Sequence, residues 1–163
     1  MLKKYLTGLV ALLILLGFDQ WTKYLAIIGL KDKPDFILIK DVLQLEYLEN
    51  RGAAFGMMQN KQLPLIVITA VILLVIIWLY HRIPMSKKYF LLQATLLLIA
   101  SGAIGNMIDR IGRGYVVDFI YVSLIRFPIF NVADCFVVIG VVLLLFSLLF
   151  IYKDEELDVL FKK

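Results

Sequence analysis

An all-α membrane bundle of four transmembrane helices, with a small outer β element and both termini cytoplasmic, is the fold this sequence predicts. Four long apolar runs, a hydrophobic share too large for water, and polar residues gathered near the ends of those runs point to it. The runs lie near residues 5–28, 63–80, 89–108 and 132–152. Each approaches the ~20 residues that cross ~30 Å of hydrocarbon at 1.5 Å per residue. Of 163 residues, 62% are hydrophobic and 18% charged, against the roughly 45–50% apolar content of soluble domains. Lipid must solvate that excess, and one integral membrane domain over 1–163 is expected.

The first run follows Lys3 and Lys4 and ends without a small-x-small cleavage site, so it reads as a retained helix. Lipid offers backbone N–H and C=O groups no partner, which makes runs of this length helical. The loop HRIPMSKK is short and predicts antiparallel neighbours for the second and third helices. Basic residues set the orientation. Eight fall in about 23 positions of the segments 1–4, 81–88 and 153–163, against eight in about 56 positions of segments 30–62 and 109–131. The denser side is expected to be cytoplasmic. In the outer segment 30–62, Leu43, Leu45 and Tyr47 alternate with Gln44 and Glu46, the period of a half-buried strand, and FILI (36–39) offers a partner. The glycine-containing stretch NRGAAFG suits a loop packed close to something.

Several function classes lose support at this stage. The net charge of +4 is spread between apolar segments and forms no basic face, so no nucleic-acid partner is expected. The single histidine, His81, sits in the inner loop, leaving no histidine for a triad or zinc site on the outer face. No HExxH, GxxxxGK or GxGxxG string occurs. Glu46 and Glu49 match no calcium loop and read as a solvated face. Cys135, the lone cysteine, reads as packing.

Charged groups at membrane depth cost at least ~2.5–3.5 kcal/mol on insertion scales, so their presence points to function. Asp19 and Lys23 lie four apart on the first helix, where an ion pair with Lys23 snorkelling to the interface is the simplest reading. SGAIGNMIDR sets small residues, Gly102 and Gly105 among them, before Asn106, Asp109 and Arg110, which can share one side of the third helix. Asp118 sits among Val116, Val117, Phe119 and Ile120, neighbours that raise a carboxyl pKa, and it can alternatively pair with Arg110. Asn131 can N-cap the fourth helix, with Asp134 three residues on. Each acid alone fits a structural role as well as a catalytic one. Together, two carboxyls in low dielectric share a proton, and such a pair serves as general acid and general base in peptide hydrolysis. The alternatives are a proton- or cation-coupled transporter, whose acids belong at the midplane, and a subunit whose polar cluster only joins helices.

Five strings in order, FDQWTK (18–23), ENRGAAFG (49–56), GAIGNMIDR (102–110), VVDF (116–119) and FPIFNVAD (127–134), closely resemble bacterial lipoprotein signal peptidase, or signal peptidase II. The resemblance spans nearly the whole chain; Ser101 before Gly102 and Arg51 between Asn50 and Gly52 are mild departures. It implies an aspartyl endopeptidase of the bacterial cytoplasmic membrane, its active site toward the extracytoplasmic face. The substrates it implies are diacylglyceryl-modified prolipoproteins, cut before the lipid-modified cysteine. By motif position it makes Asp118 and Asp134 catalytic and Asp19, Lys23, Asn50, Gly52, Asn106, Arg110 and Asn131 substrate-binding or dyad-supporting, with no metal or other cofactor. It further implies a small extracytoplasmic β-cradle and a short amphipathic helix over the site. Membrane lipid is the expected surrounding partner and a monomer the expected state.

Overall fold

The computed structural model describes residues 2–52 and 61–158. Helix α1 (Leu2–Leu30) leads to strands β1 (Phe36–Ile39) and β2 (Leu43–Asn50), then α2 (Gln62–Arg82) and α3 (Phe90–Arg113). Strand β3 (Val116–Tyr121), α4 (Val132–Phe146) with a π turn over Ser147–Ile151, and the short α5 (Asp154–Leu157) follow. Among the described residues, three helical stretches are long and apolar enough to cross a membrane: Gln62–Arg82, Lys87–Arg113 and Val132–Ile151. The first expected span falls on α1, which is 29 residues long and is not one of these three.

Helix α3 is the centre of the bundle and packs on α1, α2 and α4. Its small residues explain that position. Ala100, Ser101, Gly102 and Gly105 are all buried, and any Cβ on Gly105 would run into the Asp19 carboxylate of α1. Close approach here brings charged groups together as well as backbones. Leu73, Ile76, Leu92 and Leu96 build the apolar core lower down. At that end Lys4 Nζ donates to Ile83 O at 2.6 Å, Lys88 pairs with Glu156 at 2.5 Å, and Tyr152 Oη donates to Lys88 O at 2.7 Å. The expected inner segments are therefore neighbours at one end of the bundle.

The sheet stands at the other end, in the order β1-β2-β3, antiparallel throughout. The strand read at 43–47 runs on to Asn50, and FILI is its partner. The third strand, VVDFIY, was not foreseen: Asp118 sits in a strand, although the β-branched and aromatic run around it has strong strand propensity. α3 also runs five residues beyond its expected end at 108, stopping where Gly114 adopts φ 78°, a left-handed C-cap that glycine takes without strain. Register then decides the faces. Asn50 pairs with Val116 and Leu48 with Asp118, so these four share one face. The other face carries Leu45, Tyr47, Val117 and Phe119, packed on Ala26, Ile27 and Leu30 of α1. Residues 53–56 of the ENRGAAFG string lie outside the described residues. Among the described residues of the outer segment, no short amphipathic helix lies over the sheet.

Candidate active site

Asp118 is delivered by β3 and Asp134 by the first turn of α4. Asn131 joins them. Its backbone N–H donates to Asp134 Oδ2 at 3.1 Å, while its side-chain Nδ2 donates to Asp118 Oδ1 at 2.6 Å. Asn131 Oδ1 accepts from the Asp134 N–H at 3.0 Å, completing a reciprocal capping box. The N-cap reading of Asn131 and a role beside both acids are thus compatible, because one side chain has donor and acceptor ends. Asn106 Nδ2 donates to Asp134 Oδ1 at 2.8 Å, and Asn50 Nδ2 donates to Asp118 Oδ2 at 2.8 Å across the diagonal of the sheet. Asp118 makes no ion pair with Arg110 among the described residues; its partners are amides.

Burial pushes the Asp118 carboxyl up to about 7, with the Asp134 charge adding to it and the amide donors of Asn50 and Asn131 opposing. A carboxyl so placed keeps its proton near neutrality. Asp118, Asp134, Asn50, Asn106 and Arg110 line a cavity of about 830 Å³, walled on its apolar side by Phe127, Phe130, Val137, Val138 and Ile139. Cys135 lines it too. Arg110 reaches Gly52 O at 3.3 Å and Asn106 O at 3.4 Å, leaving its buried Nε without a hydrogen-bond partner among the described residues. Gly52 is held in place by its N–H donating to Asn50 Oδ1 at 3.0 Å.

Asp19 and Lys23 do not line the cavity. Both are fully buried behind it, and Lys23 does not snorkel, because Asp109 of α3 meets it inside the bundle. Lys23 Nζ lies 3.0 Å from Asp19, 3.1 Å from Asp109 and 2.9 Å from Asn106 Oδ1. Asp19 Oδ1 accepts from Ala133 N at 3.0 Å, satisfying an otherwise orphan donor in the first turn of α4. Asp109 also pairs with Arg113 and accepts from Val117 N at 3.3 Å. Sequence reading placed Asp109 in the polar cluster without its partners, and missed Gln20, which donates to Asp19 Oδ2 at 3.1 Å, and Arg113. Their spacing carried a signal: Gln20 adjoins Asp19, and Asp109 and Arg113 are four apart on α3. Among the described residues, no three His, Cys, Asp or Glu side chains are grouped to hold a metal ion.

A family model described as signal peptidase (SPase) II matches residues 11–150. The chain belongs to the signal peptidase II family. The lipoprotein signal peptidase of Caldanaerobacter subterraneus subsp. tengcongensis is 48% identical over 133 residues, covering 81% of this chain and 88% of that protein. That of Clostridium tetani is 47% identical over 150 residues, covering 88% and 92%. A bacterial membrane enzyme solved by the in meso method is similar with a TM-score of 0.76 at 33% identity, over 88% of this chain and 87% of the other. This chain is therefore a membrane-embedded member of the signal peptidase II family, a family of aspartic endopeptidases.

Proposed function

We propose that this chain removes the signal peptide from prolipoproteins whose cysteine carries diacylglycerol, cutting immediately before that cysteine with Asp118 and Asp134. The observation that carries the reading is Asn131, which hydrogen-bonds both carboxyls at once. Two acids so bridged at the rim of one cavity have the arrangement an acid–base pair requires. Asp118, raised to about 7, supplies the proton; Asp134 accepts one from water.

The water oxygen then attacks the scissile carbonyl carbon as Asp118 protonates its oxygen, giving a neutral gem-diol. Collapse of the gem-diol breaks the C–N bond. Asp134 passes its proton to the leaving nitrogen, and Asp118 recovers one from the diol, so both groups end as they began. Arg110, Asn50 and Asn106, which line the cavity, bind and orient the peptide backbone. Lys23, paired with Asp19, holds the Asn106 amide from behind, and Gly52 keeps Asn50 turned toward Asp118. The apolar wall suits a substrate whose acyl chains are already dissolved in the bilayer.

The same reading makes the chain one four-span domain in the bacterial cytoplasmic membrane, with both termini inside, the cavity outside, and a monomer sufficient for activity. The grouping of Lys4, Lys88 and Glu156 at the end opposite the cavity supports that orientation. Reconstitution with a diacylglyceryl-modified prolipoprotein tests it: signal-peptide release is expected from the native chain and from neither Asp118→Asn nor Asp134→Asn. Cleavage by both folded variants would remove the dyad from the mechanism. A transporter reading loses support because the acids cluster at one end of the bundle.

A further inference from the structure

A second hollow, of about 660 Å³, lies toward the end of the bundle opposite the catalytic cavity, and the acid–base route does not use it. Leu9 of α1 stands on one side, Ile77 and Trp78 of α2 on the other, and Leu96, Leu97 and Ala100 of α3 form the floor. Leu96 and Ala100 are buried, whereas Leu9, Ile77 and Trp78 are exposed. The hollow is therefore a groove that opens sideways, toward lipid. It exists because α1 and α2 each rest on α3 and pack little on one another. They meet at the groove's far end, where Tyr5 Oη lies 2.5 Å from His81 Nδ1 and a Cβ on Gly8 would strike Tyr80 Oη.

Charge at that clasp says what the groove takes. Lys4 is 4% exposed, donates from Nζ to the backbone oxygens of Tyr80 and Ile83, and has no carboxylate partner among the described residues. Its Nζ stands 4.6 Å from the centre of the Tyr80 ring, and Tyr80 lines the groove. The Arg82 guanidinium lies over the ring of Trp78 at 5.4 Å, which sets a second cation on the groove's rim. His81 is exposed there; with Nδ1 turned to Tyr5, its Nε2 is left for an outside partner. Trp78 also marks depth, since tryptophan belongs at the headgroup level of a bilayer.

We infer that this groove seats an acyl chain of an anionic phospholipid from the leaflet opposite the cavity, with the lipid phosphate at His81 and Arg82 above the buried Lys4 charge. Length supports a chain over a helix. The α2 lining runs from Leu73 to His81, about 12 Å at 1.5 Å per residue, close to the ~15 Å that is half of a ~30 Å hydrocarbon core. A helix from a second copy or a peptide needs a seat along the whole core; this one ends near the middle. So filled, the groove ties α1 to α2 along the stretch where they do not pack on each other. The inference needs membrane embedding alone and none of the catalytic assignment.

Fluorescence of Trp78 tests it, read in the full chain carrying Trp21→Phe, which leaves Trp78 the sole tryptophan. The protein is reconstituted in vesicles of equal parts phosphatidylglycerol and phosphatidylcholine, with quenching bromine on the chains of one lipid or of the other. Surface charge is then the same in both mixtures. Brominated phosphatidylglycerol is expected to quench more, with a preference of about five-fold, what one Lys or Arg near a bilayer supplies for an anionic lipid. Arg82→Gln, which removes the rim cation, and Leu97→Phe, which fills the groove from its floor, are each expected to abolish the preference. Equal quenching in the parent chain would leave only unselected surrounding lipid and overturn the inference. Trp78 shielded from both lipids would overturn it too, since protein would then fill the groove, and so would a preference that survives in either variant. Ile77→Phe replaces Leu97→Phe should that variant fail to fold.

Discussion

Two groups of ionisable side chains lie back to back at one end of this bundle, and they are built on opposite rules. Behind the cavity, Lys23 meets Asp19 and Asp109 at 3.0 and 3.1 Å, with Arg113 balancing the second acid, so buried charges of both signs cancel. At the cavity, two acids stand among neutral amides of Asn50, Asn106 and Asn131, with no cation within ion-pair distance among the described residues. Paired charges resist change in protonation, whereas like charges in low dielectric hold a proton that can move. Asn106 touches both groups, accepting from Lys23 through Oδ1 and donating to Asp134 through Nδ2. The rear group thereby fixes which end of the amide faces the acid.

The comparison is broken most directly by removing either cavity acid. Asp118→Asn and Asp134→Asn are each expected to lower turnover of a lipidated prolipoprotein by about 10²–10⁴, the range of general acid–base contributions, while thermal unfolding of the detergent-solubilised protein changes little. Lys23→Met should do the reverse in emphasis. It leaves two acids facing each other in the interior and costs about 3–5 kcal/mol, as broken buried pairs do, read as a lower melting temperature. Unchanged melting would show that the rear group is not the structural half of the pair.

Proton occupancy sharpens the contrast. Asp118 moves from an ordinary 3.8 to about 7, so its acid form is lost as pH rises through about 7, and initial cleavage rates should fall on that side. A rate flat up to pH 9 would remove Asp118 as the acid. For stability the sign is the same. The folded chain holds this proton more tightly than the unfolded one, so the contribution is complete below about 4 and lost as pH rises through about 7. Asp118→Asn should flatten that slope. The smallest effect belongs to Cys135→Ala: turnover should stay within about two-fold, since no step of the acid–base route needs a thiol; abolished turnover in a folded variant would give Cys135 a part.

Most of the membrane architecture was legible because its cause is local. Apolar runs of spanning length need no partner to be read, and α2 and α4 begin within a residue of where the runs place them. The strand at Leu43–Tyr47 showed in its two-residue period, and FILI beside it as an apolar run. The third strand was missed because Val116–Tyr121 is apolar nearly throughout, and such a run shows no alternation to separate strand from buried loop. Snorkelling was the wrong expectation for Lys23 because nothing in FDQWTK announces Asp109, which lies 86 residues on and arrives only when α3 packs at Gly105.

By itself the sequence determined the medium, the long helices and the inventory of groups able to move a proton, since hydrophobicity, spacing and ionisable chemistry belong to the residues wherever they sit. Only the tertiary structure decided which of those groups meet. The register of β2 on β3 brings Asn50 to Asp118, the cap of α4 brings Asn131 to both acids, and the close packing of α3 turns Lys23 inward. The reason is physical: a carboxyl's environment is set by neighbours within a few ångströms, and in a folded chain those neighbours come from segments far apart along it.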